Sequence, residues 1–223
     1  MSTIVPAILA HSEEEFEQQL RLIENDCELI QVDILDGSLF PNTNWFDAER
    51  VGALRTNVHY ELHLMVENPI PIIQAWQKFV PNLERVIVSA EMHRPLIAVL
   101  QEIKMGLGLK VGVAINPETP LHEVEAVIHE LDQLTIMSVH PGKQGQAFGD
   151  AEHIGDESFI FEKIKLAHDH RADLIIEIDG GVRDDLIGPL MHAGVDRIVV
   201  GSLLFKTEDP TNKLKLLNKI VSV

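Results

Sequence analysis

Two aspartates stand out as groups that could move protons. The stretch QVDILDGSLFPN at 31–42 puts Gln31 and Asp33 two residues apart in an apolar, β-branched run, so both side chains fall on one face of a strand. The stretch IEIDGGV at 176–182 puts Asp179 at the end of another such run. Polar groups on an apolar strand are costly unless they bind a ligand or one another; a self-satisfied structural pair and half of a site are both open readings. A third run, ELHLMVENP at 61–69, carries His63 and Met65 on a shared face. His63 gains weight because it would face Asp33 from a neighbouring strand, whereas His59, further back, reads as a satisfied core histidine. Carboxylates on separated strands can act as base and acid on opposite sides of one carbon.

Small residues follow the same runs. SVHPGKQGQAF contains His140, Gly142 and Gly145; Gly180-Gly181 follow Asp179; Gly201-Ser202 sit in VVGSLLF. Glycine lets backbone approach a ligand closely, and exposed backbone amides suit phosphate. Met65 and Met137 either floor the pocket or simply pack the core. Lys143 reads as an exposed loop lysine and Asp36-Gly37 as a turn. His93, His122, His129, His153, His168, His170 and His192 read as solvated. Lys110 opens its strand, on the wrong rim for Schiff-base chemistry.

The elements that must position these residues alternate. Strands are expected at 4–8, 29–34, 58–65, 85–89, 110–114, 134–138, 174–178 and 197–200, apolar on both faces as in parallel sheets covered by helices. Helices are expected at 13–25, 46–55, 71–79, 94–105, 120–131, 157–170, 184–193 and 210–220, the first opened by a Ser12/Glu15 capping box. Eight even units without a G-x-G-x-x-G after the first strand favour an α/β fold of one closed (β/α)8 barrel over an open doubly wound sheet. Strand-end residues then converge on one rim.

Composition bounds the rest. The 223 residues read as a single domain, 1–223, able to bury a large core. With 18 Lys and Arg against 35 Asp and Glu, the net charge of −17 disfavours nucleic acid and anionic membranes. Any phosphate must therefore be held locally. No segment reads as a signal peptide or membrane span. Cys27, the lone cysteine, reads as a buried inert thiol in a protein of the reducing cytoplasm. A homo-oligomer is compatible with all of this.

The motifs PAIL, VDILDGSLFPN, HLMVENP, INPETP, MSVHPGKQGQAF, DGGV and VGS, in this order over nearly the whole chain, resemble the ribulose-phosphate 3-epimerase family. The resemblance implies a (β/α)8 barrel of the ribulose-phosphate-binding type acting on a ketose 5-phosphate. It implies a divalent metal (Zn, Mn, Fe or Co) held by Asp33, His63 and Asp179, with the two aspartates as the proton-transfer pair interconverting D-ribulose 5-phosphate and D-xylulose 5-phosphate. Several positions depart from the family pattern. Gln31 stands where the family has a fourth, histidine ligand, and an amide oxygen is the weaker ligand for zinc-like ions. Ala7 replaces a serine, His140 an asparagine, and Lys143-Gln144 a phenylalanine and glycine; the stretch 149–158 is longer than expected. The alternative reading is a non-catalytic or altered-specificity sugar-phosphate-binding barrel without the full metal site. A decarboxylase-type lyase is the weakest reading, because Leu35 stands where the D-x-K-x-x-D signature needs lysine.

Overall fold

The capping box opens the first helix as written. In the computed structural model, which describes residues 2–142, 145–149 and 157–222, the Ser12 hydroxyl accepts from Glu15 N at 3.2 Å, and the Glu15 carboxylate reaches back to His11 N at 2.7 Å. The helix then runs Glu13–Ile23 (α1) and buries Phe16, Leu20 and Ile23, a stripe at helical spacing.

Eight parallel strands close into a barrel in chain order: β1 Thr3–Ile8, β2 Leu29–Ile34, β3 His59–Leu64, β4 Leu83–Ser89, β5 Lys110–Ile115, β6 Gln133–Met137, β7 Ile175–Asp179 and β8 Arg197–Val200. Helices α2 Ala48–Ala53, α3 Ile70–Phe79, α4 Leu96–Gln101, α5 Ser158–His170, α6 Asp184–His192 and α8 Pro210–Val221 cover the outside. The protein is a single (β/α)8 barrel. Register places Gln31 beside Glu61 and Asp33 beside His63 on β2 and β3. It also places Met137 beside Asp179 on β6 and β7. Among the described residues no helix is long and apolar enough to cross a membrane.

Four expectations need correction. The helix expected at 120–131 is two 3-10 segments, Leu121–Glu123 and Glu125–Glu130, meeting at Val124 with φ −114°; β-branched Val124, Val127 and Ile128 lose χ1 freedom in an α-helix. The helix expected from Arg94 starts only after Pro95, and beyond Gln101 it continues as a π-helix, Glu102–Leu107, ending at Gly108 with φ +70°. The strands are not apolar on both faces. Their outward residues form the main core, but the inward face carries buried Glu61, Arg85, Gln133, Thr135 and Glu177 beneath the mouth. His59 is likewise not a core residue: it is exposed at the opposite rim, 3.7 Å from Glu84.

Candidate active site

Every second residue of a strand faces the barrel interior, so Gln31 and Asp33 rise from β2 one above the other, His63 comes from β3 and Asp179 from β7. Gln31 Nε2 donates to Asp33 Oδ1 at 2.7 Å and to Asp179 Oδ2 at 2.8 Å. His63 Nδ1 lies 3.1 Å from Asp179 Oδ2 and 3.6 Å from Asp33 Oδ1. All four sit at the floor of the mouth, with Gln31 and His63 fully buried. Asn44, in the loop after β2, fixes that strand end: its amide donates to Asp33 O at 2.7 Å and accepts from Leu35 N at 2.8 Å.

Burial and proximity set the charges. Asp33 is pushed above the ordinary carboxylate range, first by burial and further by the charge of Asp179, although the hydrogen bond with His63 pulls the other way. Burial also works against an imidazolium at His63, but hydrogen bonds and charge from Asp179 and Asp33 outweigh it and raise the group to about 10. A group whose folded value is raised stabilises the fold fully below its unfolded value and loses that contribution as pH climbs through the folded one. In metal-free buffer the melting temperature should therefore fall between the ordinary histidine value of 6.5 and about pH 10. His63→Gln should flatten this slope in thermal unfolding. A wild-type slope of opposite sign would refute the assignment.

Asp33, His63 and Asp179 each offer a ligand atom, and these atoms lie within 4.8 Å of one another. Two carboxylates and an imidazole are suitable ligands for a divalent ion, so the cluster could hold one. The fourth position differs: Gln31 turns its N–H protons, not its oxygen, toward the carboxylates, and Gln31 Oε1 and His63 Nε2 are buried without a hydrogen-bond partner.

The cavity above this cluster is lined by Ala7, Met65, Met137, His140, Gly142, Gly145, Gly180, Gly181, Gly201 and Ser202. The residues expected at the rim thus share one cavity. Met65 and Met137 are buried in small interior clusters, with Leu9 and Leu35 in one and Ile87 and Ala114 in the other. His140 is half exposed, 3.6 Å from Glu118. Ala7 puts only a methyl at the wall where the family pattern has a hydroxyl. Lys143, Gln144, His153 and most of 149–158 lie outside the described residues. Gly181 has φ +57°, and a Cβ there would come within 2.6 Å of Phe148 Cα, so this glycine is required where the loops after β6 and β7 touch.

Other contributors gave weaker signals. Asn42 and Asn44 sit in the FPNTN segment, and Asn42 Nδ2 donates to Gly142 O at 2.9 Å, joining the loops after β2 and β6. Buried Ser138 donates to Gly180 O. Lys206 follows a one-turn helix, α7 Ser202–Phe205, absent from the periodicity reading; its Nζ stands so close to Gly145 that a Cβ there would collide with it. Cys27 is half-buried rather than buried as expected; the burial it has still pushes its thiol up to about 12.

A closed (β/α)8 barrel with carboxylates at strand ends, beside facing glycine loops, places a candidate enzyme site at the mouth of the barrel. The family model described as ribulose-phosphate 3 epimerase matches residues 3–205. A ribulose-phosphate 3-epimerase of Aquifex aeolicus is 31% identical over 97% of both chains. One of Bacillus subtilis is 30% identical over 94% of both. The chain belongs to the ribulose-phosphate 3-epimerase family. In fold it is similar to 3-hexulose-6-phosphate synthase from Salmonella typhimurium, with a TM-score of 0.70 at 13% identity, covering 100% of this chain and 99% of that one.

Proposed function

We propose that the protein interconverts D-ribulose 5-phosphate and D-xylulose 5-phosphate, as one 223-residue domain, with Asp33 and Asp179 as the proton-transfer pair. The observation that carries this reading is the convergence of the two carboxylates on one polar floor below the glycine loops. One carboxylate removes the proton from C3, leaving an enediolate; the other, protonated, returns a proton to the opposite face. In the reverse direction the roles exchange. The raised Asp33 suits a carboxyl that must hold a proton for part of the cycle. His63 lies within reach of both carboxylates and orients them.

Asp33, His63 and Asp179 would hold a divalent metal (Zn, Mn, Fe or Co), which when bound supplies Lewis-acid stabilisation of the enediolate oxygens. Met65 and Met137 would pack against the sugar. The phosphate would be held by backbone amides of the loops containing Gly142, Gly145, Gly180, Gly181, Gly201 and Ser202, with His140 at their edge. Lys206, over Gly145, offers a local cation against the net charge of −17. A cytoplasmic setting and a phosphorylated sugar as sole small-molecule partner accord with this reading. The test is conversion of D-ribulose 5-phosphate, followed by a xylulose 5-phosphate-specific readout across a panel of divalent metals and in chelator. Turnover under at least one condition is expected. Phosphosugar binding without turnover under every condition would instead make the protein a non-catalytic sugar-phosphate-binding barrel.

A further inference from the structure

The Gln31 side chain occupies the middle of the ligand cluster. One –NH2 group spans two carboxylates that come from strands on different sides of the barrel, at 2.7 Å and 2.8 Å. Its two protons are thereby both used, each in a hydrogen bond to an anion, the stronger kind. The amide oxygen faces the other way and meets no donor. Turning the amide over would aim that oxygen at two carboxylates and break both of these hydrogen bonds. The observed orientation is the one that electrostatics selects when no cation is present.

We infer that Gln31 is an internal competitor of the metal: an amide cross-link between the ligand carboxylates, so that divalent metal binds as a readily exchanged ligand. An ion entering among Asp33, His63 and Asp179 takes the same carboxylate oxygens that the amide now holds, so both hydrogen bonds must break first. A histidine at this position, whose imidazole can offer a lone pair to the ion, would not impose that cost in the same way. The same cross-link relieves the repulsion between the two buried carboxylates, and the apo site needs no ion to stay assembled. The inference rests on the ligand assignment made in the proposed function, and metal binding measured without substrate separates its failure from failure of the assigned reaction.

The sign of one substitution decides between competitor and ligand. Gln31→Leu removes both the amide protons and the amide oxygen while keeping bulk. If Gln31 competes, this variant binds Mn2+ or Zn2+ more tightly than wild type, by roughly tenfold for each anion-directed hydrogen bond no longer broken. If Gln31 is an ordinary fourth ligand, the variant binds more weakly. Dissociation constants come from competition with a chromophoric chelator, and weaker binding by Gln31→Leu overturns the inference. Should Gln31→Leu fail to fold, wild-type protein supplies a second readout. The side-chain amide protons of Gln31, followed by NMR, should be protected from exchange in chelator and lose protection on saturation with Zn2+. Free exchange in chelator, or protection unchanged by saturating Zn2+, overturns the inference equally.

Discussion

Asp33→Asn and Asp179→Asn should each lower turnover of D-ribulose 5-phosphate by about 10²–10⁴-fold, the range carried by a positioned acid or base. Sugar-phosphate binding should change much less, since the glycine loops lie apart from the carboxylates. Asparagine keeps the shape and one acceptor oxygen, so Gln31 retains a partner at either position and the fold should survive. The more discriminating measurement is hydrogen exchange at C3 in D2O. When one carboxylate is missing, the other still removes the proton it faces and returns deuterium to the same side. Asp33→Asn and Asp179→Asn should therefore wash deuterium into opposite epimers without interconverting them. If both variants exchange the same epimer, a single residue faces C3 and the two-base arrangement is wrong. Loss of phosphosugar binding in either variant would place that aspartate in binding instead.

The barrel and its site were legible in the sequence to different depths. Alternation of β-branched runs with helical stripes placed all eight strands, because each parallel strand buries its outward face against a helix and must be apolar there. The motif spacing placed Gln31 and Asp33 on one face and His63 beside them, which the β2–β3 register bears out. Two features were not legible. Periodicity cannot say what a buried polar residue meets, so nothing in the strand pattern marks Glu61, Arg85, Gln133 and Glu177 as one buried layer, although they meet across strands far apart in the chain. The orientation of the Gln31 amide was equally hidden. It depends on both Asp33 and Asp179, and the latter lies 148 residues away. Lys206 gave no signal because its position over Gly145 depends on a one-turn helix too short to show a period.

The hidden polar layer under the site carries the largest stability effect expected of a single substitution. Glu61, fully buried, accepts from Arg85 at 3.1 Å and from Arg197 at 3.0 Å, and Arg197 also donates to Gln133 Oε1 at 2.8 Å. Thr135 donates to Glu177 Oε1 at 2.8 Å. Burial and the nearby charge of Glu61 hold Glu177 well above the ordinary carboxylate range, and the layer sets two guanidiniums among two buried carboxyl groups. Removing one member of a buried ion pair strands its partner, at about 3–5 kcal/mol. Arg85→Met should fall near the lower end, about 3 kcal/mol, because Arg197 still reaches Glu61. The loss would appear as a lower urea midpoint with the slope unchanged. Adding Glu61→Gln to Arg85→Met removes a buried charge left with Arg197 as its one guanidinium partner, so the double variant should be more stable than Arg85→Met alone, the non-additivity expected of groups in contact. If the double variant is instead less stable by the sum of the two single losses, Glu61 and Arg85 act independently and the ion pair is not what holds this layer. Glu61 and Arg85 take no part in the proposed proton transfers, so activity per folded molecule should be largely kept in both variants. A fall in turnover parallel to the fall in stability would mean that the layer also sets the positions of the strand-end carboxylates above it.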